Sequence, residues 1–429
     1  MRKKQADRVI VTSIAIFAFA LGMGAKAIYK MIPFRVLERS FLLCMAVSVG
    51  LIVIQISEFF ISNKMCKGLL YFWNYWRIKD RLERQMLDAG FGIQRSYFVE
   101  LPKIKLTFEK DFTAGTLIIR NALKFDRKLD DVVMSAALGK FIAESHYQSD
   151  DSNMYIYELI DGSVSYKMTF KSFEDFKRHN RTINKYKLFL DKRAVVKLQH
   201  CLLVGMTGSG KTYALYNLLL QMLDKDVPYQ IFYADPKGSS LAVIGYAVAA
   251  ERTAVDVADI IRLLEEFIAL MRNRKEELRE RLKEKIDADY SDFQMQPYIF
   301  MCDEYASFAA KIATQEKKVR DSVKDMLYEV ILQGRQLGFF LFLIMQKSDA
   351  TLIDTALRDN IPLKIVLGNS EQQTYVTAFG TGVEIPNRHY LVGEGVFTEP
   401  ELAPQPKLVQ FPRLDFDILD CAQTRTRVV

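Results

Sequence analysis

Residues 205–212 read Gly-Met-Thr-Gly-Ser-Gly-Lys-Thr, a complete GxxxxGK[ST] pattern, and they constrain the fold more than any other stretch of the chain. The pattern has meaning only as the turn between a buried strand and a helix. Both neighbours fit: residues 201–204, CLLV, are a short apolar run, and residues 213–224, YALYNLLLQMLD, carry an apolar face at helical spacing. Glycines in such a turn let backbone N–H groups point inward at the helix N-terminus, where they cradle phosphates. Gly205, Met206, Thr207, Gly208, Ser209, Gly210, Lys211 and Thr212 are therefore the expected nucleotide-binding residues, with Lys211 bridging the β- and γ-phosphates and Thr212 holding Mg²⁺.

Such a loop needs acids beside it. Residues 298–304, YIFMCDE, are a hydrophobic strand ending in two carboxylates. Asp303 is expected to reach Mg²⁺ through water, and Glu304 to polarise the attacking water, which points to ATP hydrolysis rather than a GTP switch. Residues 339–345, FFLFLIM, form a third apolar strand closed by Gln346, either a γ-phosphate sensor or a plain strand terminus. Arg335, just upstream, is either an arginine finger reaching a neighbouring subunit's ATP or a cation on the helix-end dipole, with Arg358 as the second finger candidate. Strands at 200–204, 229–235, 298–304, 339–345 and 363–368 alternate with helices, the α/β pattern of a parallel sheet. No LSGGQ-like signature occurs, which disfavours an ABC transporter ATPase.

The N-terminus is of another kind. Residues 9–25 and 40–57 are uncharged runs of 17 and 18 residues. At 1.5 Å per residue each spans about 26 Å, near the lower limit for a membrane helix. A cleaved signal peptide and a pair of buried core helices are the alternatives. The chain carries 59 Lys/Arg against 52 Asp/Glu, and residues 1–67 hold ten of the basic and three of the acidic residues. The rest is balanced at 49 of each, so the basic character belongs to the N-terminus and does not by itself indicate nucleic-acid binding. Basic flanks before the first run and after the second predict both ends cytoplasmic, with a short external turn near Pro33. Five scattered cysteines and four scattered histidines argue against a disulfide framework and a zinc cluster.

Between these parts, residues 68–90 read as an amphipathic helix leaving the membrane, with Trp73, Tyr75 and Trp76 suited to the headgroup region. Residues 96–180 read as a small α+β unit: strands at 97–108 and 115–123, a helix over 129–146, and strands again at 154–160 and 164–170. The polar, basic stretch 178–192 reads as a boundary. The expected organisation is a transmembrane hairpin at 1–62, a juxtamembrane helix and adaptor domain at 63–180, and an ATPase motor at 181–429.

The wording of the C-terminal half resembles the FtsK/SpoIIIE family of DNA translocases over about residues 185–400. GMTGSGKT looks like that family's P-loop, Asp235-Pro236-Lys237 like its DPK, and CDEYASF like its acidic strand end. GRQLGFFLFLIMQ, RDNIPLKI (358–365) and Gly393-Glu394-Gly395-Val396-Phe397 look like its three further segments, in the same order. Two spans, and no room for a DNA-reading winged helix after the motor, make the chain similar to TcpA-type coupling proteins of Gram-positive conjugative elements; Gln346-Lys347-Ser348 departs from the usual QRP. The resemblance implies a RecA-like motor anchored in a bacterial cell membrane. It further implies a homo-hexamer with DNA in its pore, ATP sites between subunits, Arg335 acting in trans, and a relaxase and channel proteins as partners. Pore-facing candidates are Lys311, Lys317, Lys318, Arg320 and Lys324, with a solvated helix face as the alternative. The mixed-charge helix 272–285 reads as a solvated or subunit-packing face. A type VII-like protein-secreting motor is the competing function, and a tyrosine-kinase-type membrane regulator a remote third.

Overall fold

The computed structural model describes residues 2–121, 135–347, 353, 355–381, 383, 385–386 and 388–426. The chain divides into two compact units, Met1–Val164 and Ser165–Val429.

The first unit begins with two antiparallel helices, α1 (Lys3–Met31) and α2 (Arg35–Ser62), each long and apolar enough to cross a membrane. Their apolar side chains face outward, with Phe17, Leu43 and Ile54 all more than half exposed, which argues against the buried-core-helix alternative. Where the helices touch, polar groups satisfy one another: Ser48 Oγ donates to the Ala15 carbonyl at 2.9 Å, and Gln55 Nε2 to the Arg8 carbonyl at 3.0 Å. Helix α3 (Leu69–Asp88) follows, and Arg2 makes ion pairs of 2.8 and 2.9 Å to its Asp80 and Glu83. The start of α1 and the chain after α2 therefore lie at the same end of the hairpin. Leu82 and Met86 of α3 are buried in one core with the four-stranded antiparallel sheet of β1 (Ile104–Phe108), β2 (Ala114–Arg120), β3 (Phe141–Gln148) and β4 (Met154–Asp161), in spatial order β1-β2-β4-β3.

Strand β3 corrects the expected helix over 129–146. Residues 129–134 lie outside the described residues, Ser135–Leu138 is a single helical turn, and from Phe141 the chain pairs with β4. The pairing register shifts between Ala143 and Ser145. Such a bulge adds a residue and breaks the two-residue alternation that identifies a strand.

The second unit is an eight-stranded sheet with helices around it. In chain order its elements are α4 (Phe173–Arg181), β5 (Cys201–Gly205), α5 (Lys211–Leu223), β6 (Gln230–Ala234), α6 (Ser240–Val248), β7 (Thr253–Ala254), α7 (Val257–Arg281), β8 (Tyr298–Cys302), α8 (Tyr305–Ala313), α9 (Lys317–Leu337), β9 (Phe339–Met345), α10 (Thr355–Asp359), β10 (Leu363–Leu367), α11 (Gln372–Phe379), β11 (Glu394–Glu399) and β12 (Ala403–Gln410). The strand order is β7-β6-β8-β9-β5-β10-β11-β12, parallel from β7 to β10, with an antiparallel hairpin of β11 and β12 at one edge. All seven residues of β9 and all five of β5 are buried, as expected for central parallel strands covered on both faces.

Residues 165–192 differ from expectation. Of 164–170 only Thr169–Phe170 is a strand, and it pairs with Arg413–Leu414 of the second unit. The stretch 178–192 is packed rather than linking: Asn180, 1 % exposed, donates to the Gln221 carbonyl at 3.1 Å, and Phe189 N–H donates to Gln221 Oε1 at 2.8 Å. The division falls at 164/165, ahead of these contacts, rather than at 180.

Candidate nucleotide site

Strand β5 ends at Gly205 and helix α5 begins at Lys211, so residues 206–210 form the loop between them, at the C-terminal edge of the parallel strands. The loop's shape needs its glycines. Gly210 has φ +94°, and a Cβ there would stand 2.5 Å from the Gly393 nitrogen; on Gly205 it would stand 2.4 Å from Ser209 Oγ. Gly393, just ahead of β11, donates its N–H to the Ser209 carbonyl at 2.8 Å, so the hairpin braces the loop from outside. The Ser209 hydroxyl is buried and has no hydrogen-bond partner among the described residues.

Two strands away, β8 delivers the acids. Asp303 and Glu304 follow its last residue, and β9 lies between β8 and β5. Glu304 is 6 % exposed and has φ +54°, a left-handed conformation unusual for a residue with a Cβ. Its carboxylate is held on three sides. Oε1 accepts the Gln346 N–H at 3.3 Å; Oε2 lies 3.0 Å from Lys237 Nζ and 3.7 Å from Lys211 Nζ. Asp303 Oδ2 lies 3.4 Å from Ser239 Oγ. Burial raises the Asp303 pKa, Lys211 opposing it. Burial likewise lowers the Lys211 pKa, with Glu304 and Asp303 opposing. Lys211, Asp303, Glu304 and the backbone N–H of Gln346 thus meet at one sheet edge: a cation and a helix N-terminus for phosphates, and an acid pair of which Glu304 is buried and Asp303 half-buried.

The FtsK/SpoIIIE family model matches residues 173–361. That match takes in the P-loop, the acid pair and Arg335, and it covers less than half of the chain. The chain is 27 % identical over 184 residues to the FtsK domain-containing protein YdcQ of Bacillus subtilis (strain 168), a match covering 43 % of this chain and 37 % of that relative. The chain therefore spans little more than a third of the curated relative it matches. Among solved structures, it is similar to the pCW3 conjugation coupling protein TcpA, monomer form with ATPγS, at TM-score 0.49 and 14 % identity over 82 % of this chain and 99 % of that one. It is also similar to the cytoplasmic domain of the type VII secretion ATPase EccC of Thermomonospora curvata, at TM-score 0.45 and 15 % identity over 57 % and 31 % of the two chains.

The remaining residues predicted from the sequence lie elsewhere. Arg335 is near the end of α9, four residues before β9 starts, at the opposite edge of the sheet from Gln346. Seven strand residues separate those edges, roughly 20 Å. Its guanidinium is exposed and donates no hydrogen bond among the described residues. Arg358 sits at the same edge but is 11 % exposed and donates twice to Asp359 Oδ1, at 3.0 and 2.9 Å. Lys311 donates to the Pro236 carbonyl at 2.7 Å. Lys317 and Lys318 line an open groove with Asp321, Asp325 and Glu329; Arg320 contacts the Ala313 carbonyl, and Lys324 lies over the Tyr328 ring. On α7, Arg272 pairs with Glu329 at 2.7 Å and Lys275 Nζ donates to Gln333 at 2.8 Å, so part of that charged face binds α9. Ser348 lies outside the described residues.

Lys237 and Ser239 are the site residues that the motif reading left without a role. The DPK motif was the available signal, but the pairing with Glu304 and Asp303 depends on β6 and β8 being neighbours in the sheet.

Proposed function

We propose that this protein is a membrane-anchored ATP hydrolase that translocates DNA, acting as a coupling protein that delivers DNA to a conjugative transfer channel. The observation that carries the reading is the convergence of Lys211, Asp303, Glu304 and Gln346 on one P-loop within an FtsK/SpoIIIE domain. The motif set in family order supports DNA as the substrate.

The roles follow from position. Lys211 and the loop N–H groups hold the β- and γ-phosphates. Glu304, buried and acceptor-only, orients the attacking water and takes its proton. Gln346 carries the state of that site to β9. Thr212 and Asp303 are the residues that would hold Mg²⁺. This donor set fits a magnesium ion, which binds through one or two protein oxygens, substrate phosphates and retained waters. Magnesium, when bound, supplies positive charge to the phosphates.

Arg335 acts as a finger on a neighbouring subunit's ATP, because its own loop lies across the sheet from it. A ring of copies, with the α1–α2 hairpin in the membrane and the motor on the cytoplasmic side, meets that requirement. Lys317, Lys318 and Arg320 are the DNA contacts we propose. The test is strand displacement: the full chain in lipid nanodiscs, supplied with ATP, should strip a third strand from duplex DNA, and the Lys211→Ala chain should not. A wild-type chain that hydrolyses ATP but displaces nothing, and is instead stimulated by a secreted protein, would favour the secretion reading.

A further inference from the structure

Lys211 must leave Glu304 for phosphate if both are to work, and the structure contains a competitor for that carboxylate. Glu304 Oε2 is 3.0 Å from Lys237 Nζ but 3.7 Å from Lys211 Nζ, so Lys237 is the closer partner. Lys237 is presented by a built turn. Asp235, fully buried, accepts the Lys237 N–H at 3.2 Å through Oδ1, and through Oδ2 the Ser239 N–H at 2.7 Å, the Ser239 hydroxyl at 2.8 Å and the Ala242 N–H at 3.1 Å. Lys311 holds the same turn through the Pro236 carbonyl. The turn delivers Lys237 to Glu304 and brings Ser239 Oγ, whose proton goes to Asp235, within 3.4 Å of Asp303.

We propose that Lys237 is a positioning residue: it draws the Glu304 carboxylate toward itself and keeps Lys211 free to receive phosphate. Without Lys237, Oε2 has Lys211 as its remaining cation. In so enclosed a place, where Glu304 and Lys211 side chains are 8 % and 13 % exposed, that ion pair closes and competes with nucleotide. This proposal rests on the ATPase reading above.

The test is a double-mutant cycle on nucleotide affinity. The full chain in nanodiscs is titrated with a fluorescent, non-hydrolysable ATP analogue and Mg²⁺. Lys237→Met should weaken binding about tenfold in the Glu304 chain and less than about twofold in the Glu304→Gln chain, where the competing charge is gone. Lys237→Arg, which keeps the charge, should bind within about twofold of wild type. The Lys237 side chain is 45 % exposed, so folding tolerates these changes. An equal loss in both backgrounds would mean that Lys237 attracts phosphate directly, and no loss in either would mean that the Lys211–Glu304 pair does not compete; either overturns the proposal. A wild-type chain that binds no analogue would instead overturn the ATPase reading itself.

Discussion

At the scale of the residue, Glu304 is held in a left-handed conformation by three partners from three separate segments. Side chains kept in such backbone states persist where the surroundings over-determine them, often at active sites. Glu304→Gln preserves shape and removes the proposed base, so ATP should still bind while turnover falls by about 10²- to 10⁴-fold, measured by single-turnover hydrolysis. A second residue bears on stability. His200 is 1 % exposed, and its Nδ1 accepts the Leu341 N–H at 3.0 Å. Burial lowers its pKa to about 3 from an ordinary 6.5. A histidine depressed in the folded state binds its proton more readily unfolded. Its contribution is therefore complete above about pH 6.5 and is lost as pH falls toward 3. His200→Phe should strand the Leu341 N–H, cost about 1–3 kcal/mol at neutral pH, and flatten this part of the acid-denaturation profile. Asp303 and Glu304 were legible in the sequence because they end an apolar strand. Lys237 was not, because its partner is 67 residues away and becomes a neighbour only when β6 pairs with β8.

At the scale of the element, the P-loop depends on a hairpin nearly two hundred residues downstream. Gly393, at φ +80°, passes its N–H to the Ser209 carbonyl. Gly393→Ala places a Cβ where left-handed backbone costs about 1–2 kcal/mol. It should lower the melting temperature and weaken nucleotide binding, although this residue is no part of the P-loop; calorimetry and analogue titration together check this. The five central strands were readable from continuous apolar runs, since strands buried on both faces need no alternation. β3 was not. Its bulge at Ala143/Ser145 disturbs the period, and apolar spacing within 135–146 then resembles a helix. Residues 178–192 misled for a different reason. Their polarity is spent on buried hydrogen bonds to α5, which composition cannot distinguish from exposure to solvent.

At the scale of the whole molecule, the sheet separates two pieces of proposed chemistry by its own thickness along the strands: the P-loop at one edge and Arg335 at the other. Arg335→Ala should bind nucleotide normally yet lose most hydrolysis. Mixing it with Lys211→Ala subunits, which are inactive but supply the arginine, should restore a fraction of the rate. Mixtures no more active than their parts would remove Arg335 from the mechanism. Outside residues 1–67 the chain is charge-balanced, and acids sit among Lys317 and Lys318, so the DNA attraction we propose has to be concentrated in a small area. The most direct measurement is therefore the steady-state ATPase rate of the full chain in nanodiscs, with and without double-stranded and single-stranded DNA, beside Lys211→Ala. The account predicts strong stimulation by one form of DNA, weakening with added salt and absent in the variant. A Lys211-dependent rate indifferent to every DNA would contradict it.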